Sequence, residues 1–376
     1  MITTYSIIIV MNYNYNTLLL YAIEHNEIRI VEQILIINKT IGSRMRQFYF
    51  RQACIKGHLD IVKLLIKTIP SINVTYKNNI VFRLSCFHGH MNIVKWFMEN
   101  TDVDIHSNQN HAIQWACEHN HSEIVKLLMS HISFEKTTFK SSHNQYRKQL
   151  LFNKCMYILI IHDRIELLIW FYENYDLEYQ LNNYFALACE NGKLSICKYF
   201  ITNIKCEKIY QSCFSATCCH GHFDVVQWLI SIDHIQPDAM AYPYFKNILR
   251  SGHLEICQFL LSINFKNFEY YIKTYVFDIC KQLSTQRFKD GKLCEQNNLS
   301  TMKWLLKLHN IDITQNDNCL FTNCYHSGQL EMCQLLHKIN PIVIHTLIPA
   351  ISRHKHVDKW LTSTRKTIEL STVENN

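Results

Sequence analysis

Residues Ala53 to Ile66 read ACIKGHLDIVKLLI, and this fourteen-residue phrase returns along most of the chain. Close copies are SCFHGHMNIVKWFM (Ser85 to Met98), ACEHNHSEIVKLLM (Ala116 to Met129), ACENGKLSICKYFI (Ala188 to Ile201), TCCHGHFDVVQWLI (Thr217 to Ile230) and ILRSGHLEICQFLL (Ile248 to Leu261). Worn copies begin at Ala22, Leu159, Leu293 and Cys324, so the ten starts are separated by 31, 32, 31, 43, 29, 29, 31, 45 and 31 residues. A period near 31 with two longer gaps is the signature of a repeat array.

With the residues of each copy numbered as slots 1 to 14, slot 5 holds Asn26, Gly57, Gly89, Asn120, Asp163, Gly192, Gly221, Gly252, Asn297 and Gly328. Gly, Asn and Asp tolerate a left-handed backbone, so each copy can end one helix there and turn into another. Before the turn, an apolar residue three ahead of the start (Phe50, Phe82, Ile113, Phe185, Phe214, Phe245, Phe321) joins slots 1 and 2 in an i, i+3, i+4 stripe. Slots 1 and 2 are mostly small, as in Ala53 and Cys54, which lets neighbouring helices approach closely. After the turn, Leu59, Ile61, Val62, Leu64 and Leu65 give the second helix a broad apolar face. An acid often occupies its first turn (Asp60, Glu123, Glu166, Asp224, Glu255, Glu331), where the helix dipole favours negative charge. These patterns predict an all-α chain of about ten helix-turn-helix units with two insertions.

A unit of about 31 residues with GHLDIV at its centre resembles the ankyrin repeat, and the likeness runs from about Asn16 to Lys338. The best copies match that family's AAxxGHLEIVKLLL segment almost slot for slot. Its TPLHxA opening survives only as an apolar anchor, as in FYFRQA (Phe48 to Ala53) and NHAIQWA (Asn110 to Ala116). The Ile- and Asn-rich style, with its AC..GH phrasing, is similar to the expanded ankyrin families of large DNA viruses that infect amoebae. The resemblance implies an ankyrin-type solenoid whose concave groove, lined by slots 3 and 4 and the hairpin tips, binds a protein partner. In this chain those slots include Ile55 and Lys56, Phe87 and His88, Glu118 and His119, Ile161 and His162, and Glu190 and Asn191. They vary from copy to copy while the framework slots do not. Phe87, an aromatic residue where solvent normally favours a polar one, is the leading hot-spot candidate.

The expected organisation is an N-terminal cap (1–15), repeats 1–4 (16–130), a basic insertion (131–154) and repeats 5–8 (155–261). An insertion or degenerate repeat (262–292), repeats 9–10 (293–338) and a degenerate cap and tail (339–376) follow. The basic insertion carries Lys136, Lys140, Arg147, Lys148 and Lys154, and Ala350 to Leu361 reads as a worn last repeat.

Composition excludes several kinds of chemistry. The eight glycines among 376 residues never come within ten positions of each other, which removes dinucleotide loops, phosphate loops and nucleophile elbows. With only five prolines as well, a turn-dense β sandwich is excluded. A net charge of +7 spread over a chain this long does not identify a nucleic-acid binder. The apolar run Ser6 to Met11 is short and lacks a preceding Lys or Arg, so it reads as a buried cap rather than a targeting segment. No stretch approaches the ~20 apolar residues of a membrane span. The expected location is the cytosol or nucleus of a host cell, without secretion, and the expected state is a monomer.

Ten of the sixteen cysteines fall in slots 1, 2 and 10, the places of small buried residues, and no pair has CxxC spacing. Histidine recurs in slot 6 (His58, His90, His121, His222, His253) and in slot 4 (His25, His88, His119, His162, His220). A backbone contact in the turn is the simplest role for slot 6. Metal capture would need a third ligand, so neither metal nor cofactor is expected. Trp96, Trp170, Trp228 and Trp304 share slot 12 and read as core. No carboxylate pair, HExxH or triad can be nominated, so the chain reads as a non-enzymatic scaffold. Its alternatives are a substrate adaptor for a ubiquitin ligase and an enzyme hidden in 262–292.

Overall fold

The computed structural model describes residues 15–37, 41–131, 143–175, 180–203, 210–232, 247–249, 251–263, 268–285, 292–308, 312–341 and 354–373, and the regular structure there is helical throughout. Two compact units divide the chain, Met1–Tyr179 and Gln180–Asn376. The N-terminal run Ser6–Met11, together with Lys136 and Lys140, lies outside the described residues.

Unit 1 holds five hairpins: α1 (Tyr15–Glu24) with α2 (Ile28–Ile37), α3 (Ser43–Lys56) with α4 (Leu59–Thr68), α5 (Tyr76–Phe87) with α6 (Met91–Asn100), α7 (Ser107–Glu118) with α8 (Ser122–His131), and α9 (His143–Ile161) with α10 (Ile165–Asn174). The first helices pack in succession, α1 on α3 on α5 on α7 on α9. Phe50, Ala53 and Cys54 of α3 and Phe82, Ser85 and Cys86 of α5 are fully buried between them, as the apolar stripe requires. From α6, Phe97 meets Phe50 at 6.2 Å and Phe82 at 6.5 Å between ring centroids, both edge to face, so one ring joins the anchors of two repeats.

Unit 2 contains α11 (Leu181–Glu190), α12 (Leu194–Asn203), α13 (Tyr210–His220), α14 (Phe223–Ser231), α15 (Leu254–Ser262), α16 (Phe268–Thr285), α17 (Lys292–Leu308), α18 (Gln315–Ser327), α19 (Leu330–Ile339) and α20 (Lys355–Val373). Its second helices form a continuous row, α12, α14, α15, α17, α19 and α20. In the front row, α11 packs on α13 and α16 on α18.

The hinge is chemically uniform. Slot 5 takes positive φ at Asn26, Gly57, Gly89, Asn120, Asp163, Gly192, Gly221, Gly252 and Gly328. One residue later, the slot 6 N–H bonds the slot 1 carbonyl, as in His58 to Ala53 (3.1 Å), His121 to Ala116 (2.9 Å) and Arg164 to Leu159 (2.8 Å). That is the six-to-one bond of a Schellman motif, which satisfies a carbonyl at the end of the first helix. The slot 6 carbonyl then accepts from slot 10, as Val62 N–H does on His58 at 3.0 Å, and the second helix begins.

Asn297 departs from this scheme, because it lies inside the 17-residue helix α17. Tolerance of a left-handed backbone permits a hinge without requiring one, and here the front-row place is already filled from the preceding segment. Residues 262–292 supply α16, whose Ile272, Ile279, Cys280 and Leu283 are buried and which packs on α18 as one front helix on the next. The basic segment likewise runs into structure, since Arg147, Lys148 and Lys154 lie within α9. At the other end, the His354 ring packs against Gly328 and the His356 Nε2–H donates to the Gly328 carbonyl at 3.0 Å. This places α20 as the second helix of a further unit, continuing through Ser371 to Val373.

Candidate protein-binding surface

Slot 6 side chains join one repeat to the next. His90 Nε2 lies 2.6 Å from the Ile55 carbonyl, His121 Nε2 2.8 Å from Phe87, His222 Nε2 2.9 Å from Glu190 and His253 Nε2 3.1 Å from Cys219. A carbonyl can only accept, so Nε2 carries the hydrogen in each. Every acceptor is the slot 3 carbonyl of the preceding unit. His58 makes the same reach to Glu24 at 3.5 Å, and Arg164 replaces it with two N–H groups on the Glu118 carbonyl at 3.0 and 3.3 Å. These bonds hold slots 3 and 4 in register along the stack.

The slot 5 glycines make room for this clamp as well as for positive φ. A Cβ at Gly57 would lie 2.5 Å from His90 Nδ1, and the same conflict pairs Gly89 with His121, Gly192 with His222 and Gly221 with His253. Where slot 5 is Asn26 the next clamp is long, and where it is Asn120 the next clamp is an arginine.

Of the candidate groove residues in unit 1, Lys56, His88 and His162 are exposed, while Ile55, Phe87, Glu118, His119 and Ile161 are half-buried. Phe87 lies against the His119 ring of the next repeat, tilted at 3.9 Å between centroids, and meets Trp115 edge to face at 5.6 Å. His162 Nε2 lies 3.9 Å from Glu118 Oε1. In unit 2, Glu190 is exposed and Asn191 half-buried, its amide donating to the Leu187 carbonyl at 2.9 Å. Arg250, in slot 3 of the copy that starts at Ile248, lies outside the described residues.

Trp115 extends this surface beyond the slots read from sequence. The Arg83 guanidinium lies 5.2 Å from the centre of its ring and His111 lies 5.6 Å away. The sequence did carry a signal: Trp115 stands immediately before slot 1, whereas the other tryptophans fall at slot 12, Trp360 included once α20 is placed. Those slot 12 tryptophans are half-buried rather than core, a position that lets a large ring cover the stack while its indole N–H stays near water.

A second motif holds the start of the first helices. Lys77 to Asn79 and Asn108 to Asn110 all have positive φ, three left-handed residues in a row. Arg83 donates to the Asn78 and Lys77 carbonyls at 3.0 and 3.1 Å, and Gln114, at the equivalent place, donates to Gln109 at 2.6 Å. Asn73 and Asp104 precede these turns and Asp312 precedes α18, each accepting the backbone N–H two residues on at 2.9 Å. The recurrence of Asn six residues before slot 1 (Asn16, Asn79, Asn110, Asn153, Asn182, Asn318) is legible in the sequence.

Among the described residues no three His, Cys, Asp or Glu side chains converge as metal ligands, and no helix is long and apolar enough to cross a membrane. Of the fourteen cysteines whose side chains are described, all but the half-buried Cys219 and Cys319 are buried. Burial pushes the thiols of Cys257, Cys280 and Cys333 up to about 12, which suppresses the reactive thiolate.

No curated protein matches the chain. Residues 50–139 match the family model for ankyrin repeats in three copies, and the helical hairpins within that span are ankyrin-type.

Proposed function

We propose that this chain is a non-catalytic scaffold that binds a protein partner across the slot 3 and slot 4 side chains of its repeats. Ankyrin repeats are generally protein-protein interaction modules. The observation that carries the reading is the contrast between slots. Ala53, Cys54, Ser85, Cys86, Ala116 and Cys117 are fully buried, whereas the next two residues of each copy reach solvent, and the first of them differs in chemistry from copy to copy (Ile55, Phe87, Glu118). Packing fixes the former, and the latter are free to suit a partner. Phe87, Trp115 and His119 supply the aromatic cluster around which such interfaces concentrate their energy.

Affinity capture from lysate with quantitative mass spectrometry tests the proposal. A partner held by the wild-type chain is expected to be lost from Phe87→Ser and from Lys56→Glu, and kept by Lys95→Glu on the exposed face of α6, with all three variants melting within a few degrees of wild type. Loss with Lys95→Glu and retention with Phe87→Ser would place the binding face elsewhere.

A further inference from the structure

Slot 4 of unit 1 holds a base in every copy: His25, Lys56, His88, His119 and His162. Lys56 ends α3, His88 and His119 cap the C-termini of α5 and α7, and His25 and His162 directly follow α1 and α9. A helix C-terminus favours a cation. We propose that these five side chains form a docking row for an extended acidic segment of a partner protein, gripped more tightly as the histidines take up protons; this rests on the scaffold reading above.

Three observations carry it. A carboxylate already approaches the row, since Glu118 Oε1 stands 3.9 Å from His162 Nε2. His119 has Nδ1 on the Trp115 carbonyl at 3.1 Å, which leaves Nε2 for a ligand. The members also feel one another: burial, then the charges of His90, His119, His121 and Lys56, hold the His88 imidazole below its usual range. A carboxylate landing among these groups offsets their repulsion, so its binding is linked to proton uptake.

The neighbouring charges are compatible with this occupant. Arg83 is engaged by the Lys77 and Asn78 carbonyls, and His90 and His121 keep Nε2 on carbonyls of the preceding units. His111 is held low by burial and by Arg83 and Lys154, and Arg164 is engaged on the Glu118 carbonyl. Glu24 and Glu118 in slot 3 are the acids beside the row. Packed helices stand about 8–10 Å apart, and a polyproline II chain rises about 3.1 Å per residue with three residues per turn, so one acid at every third position stays on the face of the row and meets one base per repeat.

Fluorescence anisotropy of the full chain with a fluorescein-labelled thirteen-residue peptide bearing Glu at every third position is the test. Binding is expected to be at least tenfold tighter at pH 5.5 than at pH 7.5 and absent for the Gln version of the peptide. In the His88→Gln, His119→Gln double variant the two pH values should differ less than threefold, with circular dichroism showing an intact fold at pH 5.5. Lys56→Gln should weaken binding equally at both. Absence of binding, equal affinity at both pH values, or tighter binding of oligo-dT than of the peptide at pH 5.5 would overturn the row. Groove-dependent capture of a partner alongside pH-independent peptide binding would sink the row while leaving the scaffold intact.

Discussion

A single residue decides each corner. Gly89 has φ +79 and lies against the His121 ring, so an alanine there meets both a left-handed backbone and the neighbouring imidazole. Gly89→Ala is expected to destabilise the protein by about 2–4 kcal/mol, combining ~1–2 kcal/mol of backbone strain with displacement of the clamp. Gly42 has φ −64 and nothing within 4 Å of its Cβ position, so Gly42→Ala is expected to cost less than about 1 kcal/mol. Urea titration of the two variants checks the contrast. The corner itself was legible because few residues accept positive φ. Its second requirement was not, since spacing cannot show that the next unit's imidazole occupies the missing side chain's place.

At the scale of the element, the small residues of slots 1 and 2 set how closely front helices approach. Ala53 is fully buried on α3 while Lys56, three residues on, is exposed. Ala53→Trp is therefore expected to cost 3 kcal/mol or more, at about the upper end of overpacking penalties, and Lys56→Trp less than ~0.5 kcal/mol. Thermal melts of both compare them directly, and equal tolerance would refute the slot assignment. The stripe Phe50, Ala53 and Cys54 was readable because burial and helical period coincide. In the ninth copy the same reasoning failed at Asn297: LCEQNNLSTMKWLL has a suitable residue in slot 5, yet α16 fills the front row from sequence that keeps none of the repeat's phrasing. Packing needs apolar residues at helical spacing, which Ile272, Ile279 and Leu283 provide without the motif. The left-handed turns at Lys77 to Asn79 and Asn108 to Asn110 were written in recurrent asparagines, but outside the phrase that marks the hinge.

For the molecule as a whole, the histidines link stability to pH. His88, His111 and His253 are held below the ordinary value of 6.5, chiefly by burial. The unfolded chain therefore binds protons first as pH falls, so their contribution is complete above about pH 7 and is lost progressively below 6.5. Asp312, lowered by its bonds from Thr314, acts in the same direction only in more acid solution. The urea midpoint is expected to be lower at pH 5.0 than at pH 7.5, and an unchanged or higher midpoint would contradict this balance. Slot 4 was legible as a recurrent histidine position, but how its members sense one another was not, because that depends on distances between units that no sequence spacing supplies.

The pairing of a bare corner with the following imidazole bears on how such a chain changes length. Each join is a lock and key carried by adjacent copies, Gly57 with His90 and Gly89 with His121. Excising residues 58 through 89 would leave Gly57 running straight into His90, the same dipeptide as before, and would hand its vacant corner to His121. Unequal recombination can thus drop or add a whole copy without rewriting any seam, whereas a cut out of phase must repair two at once.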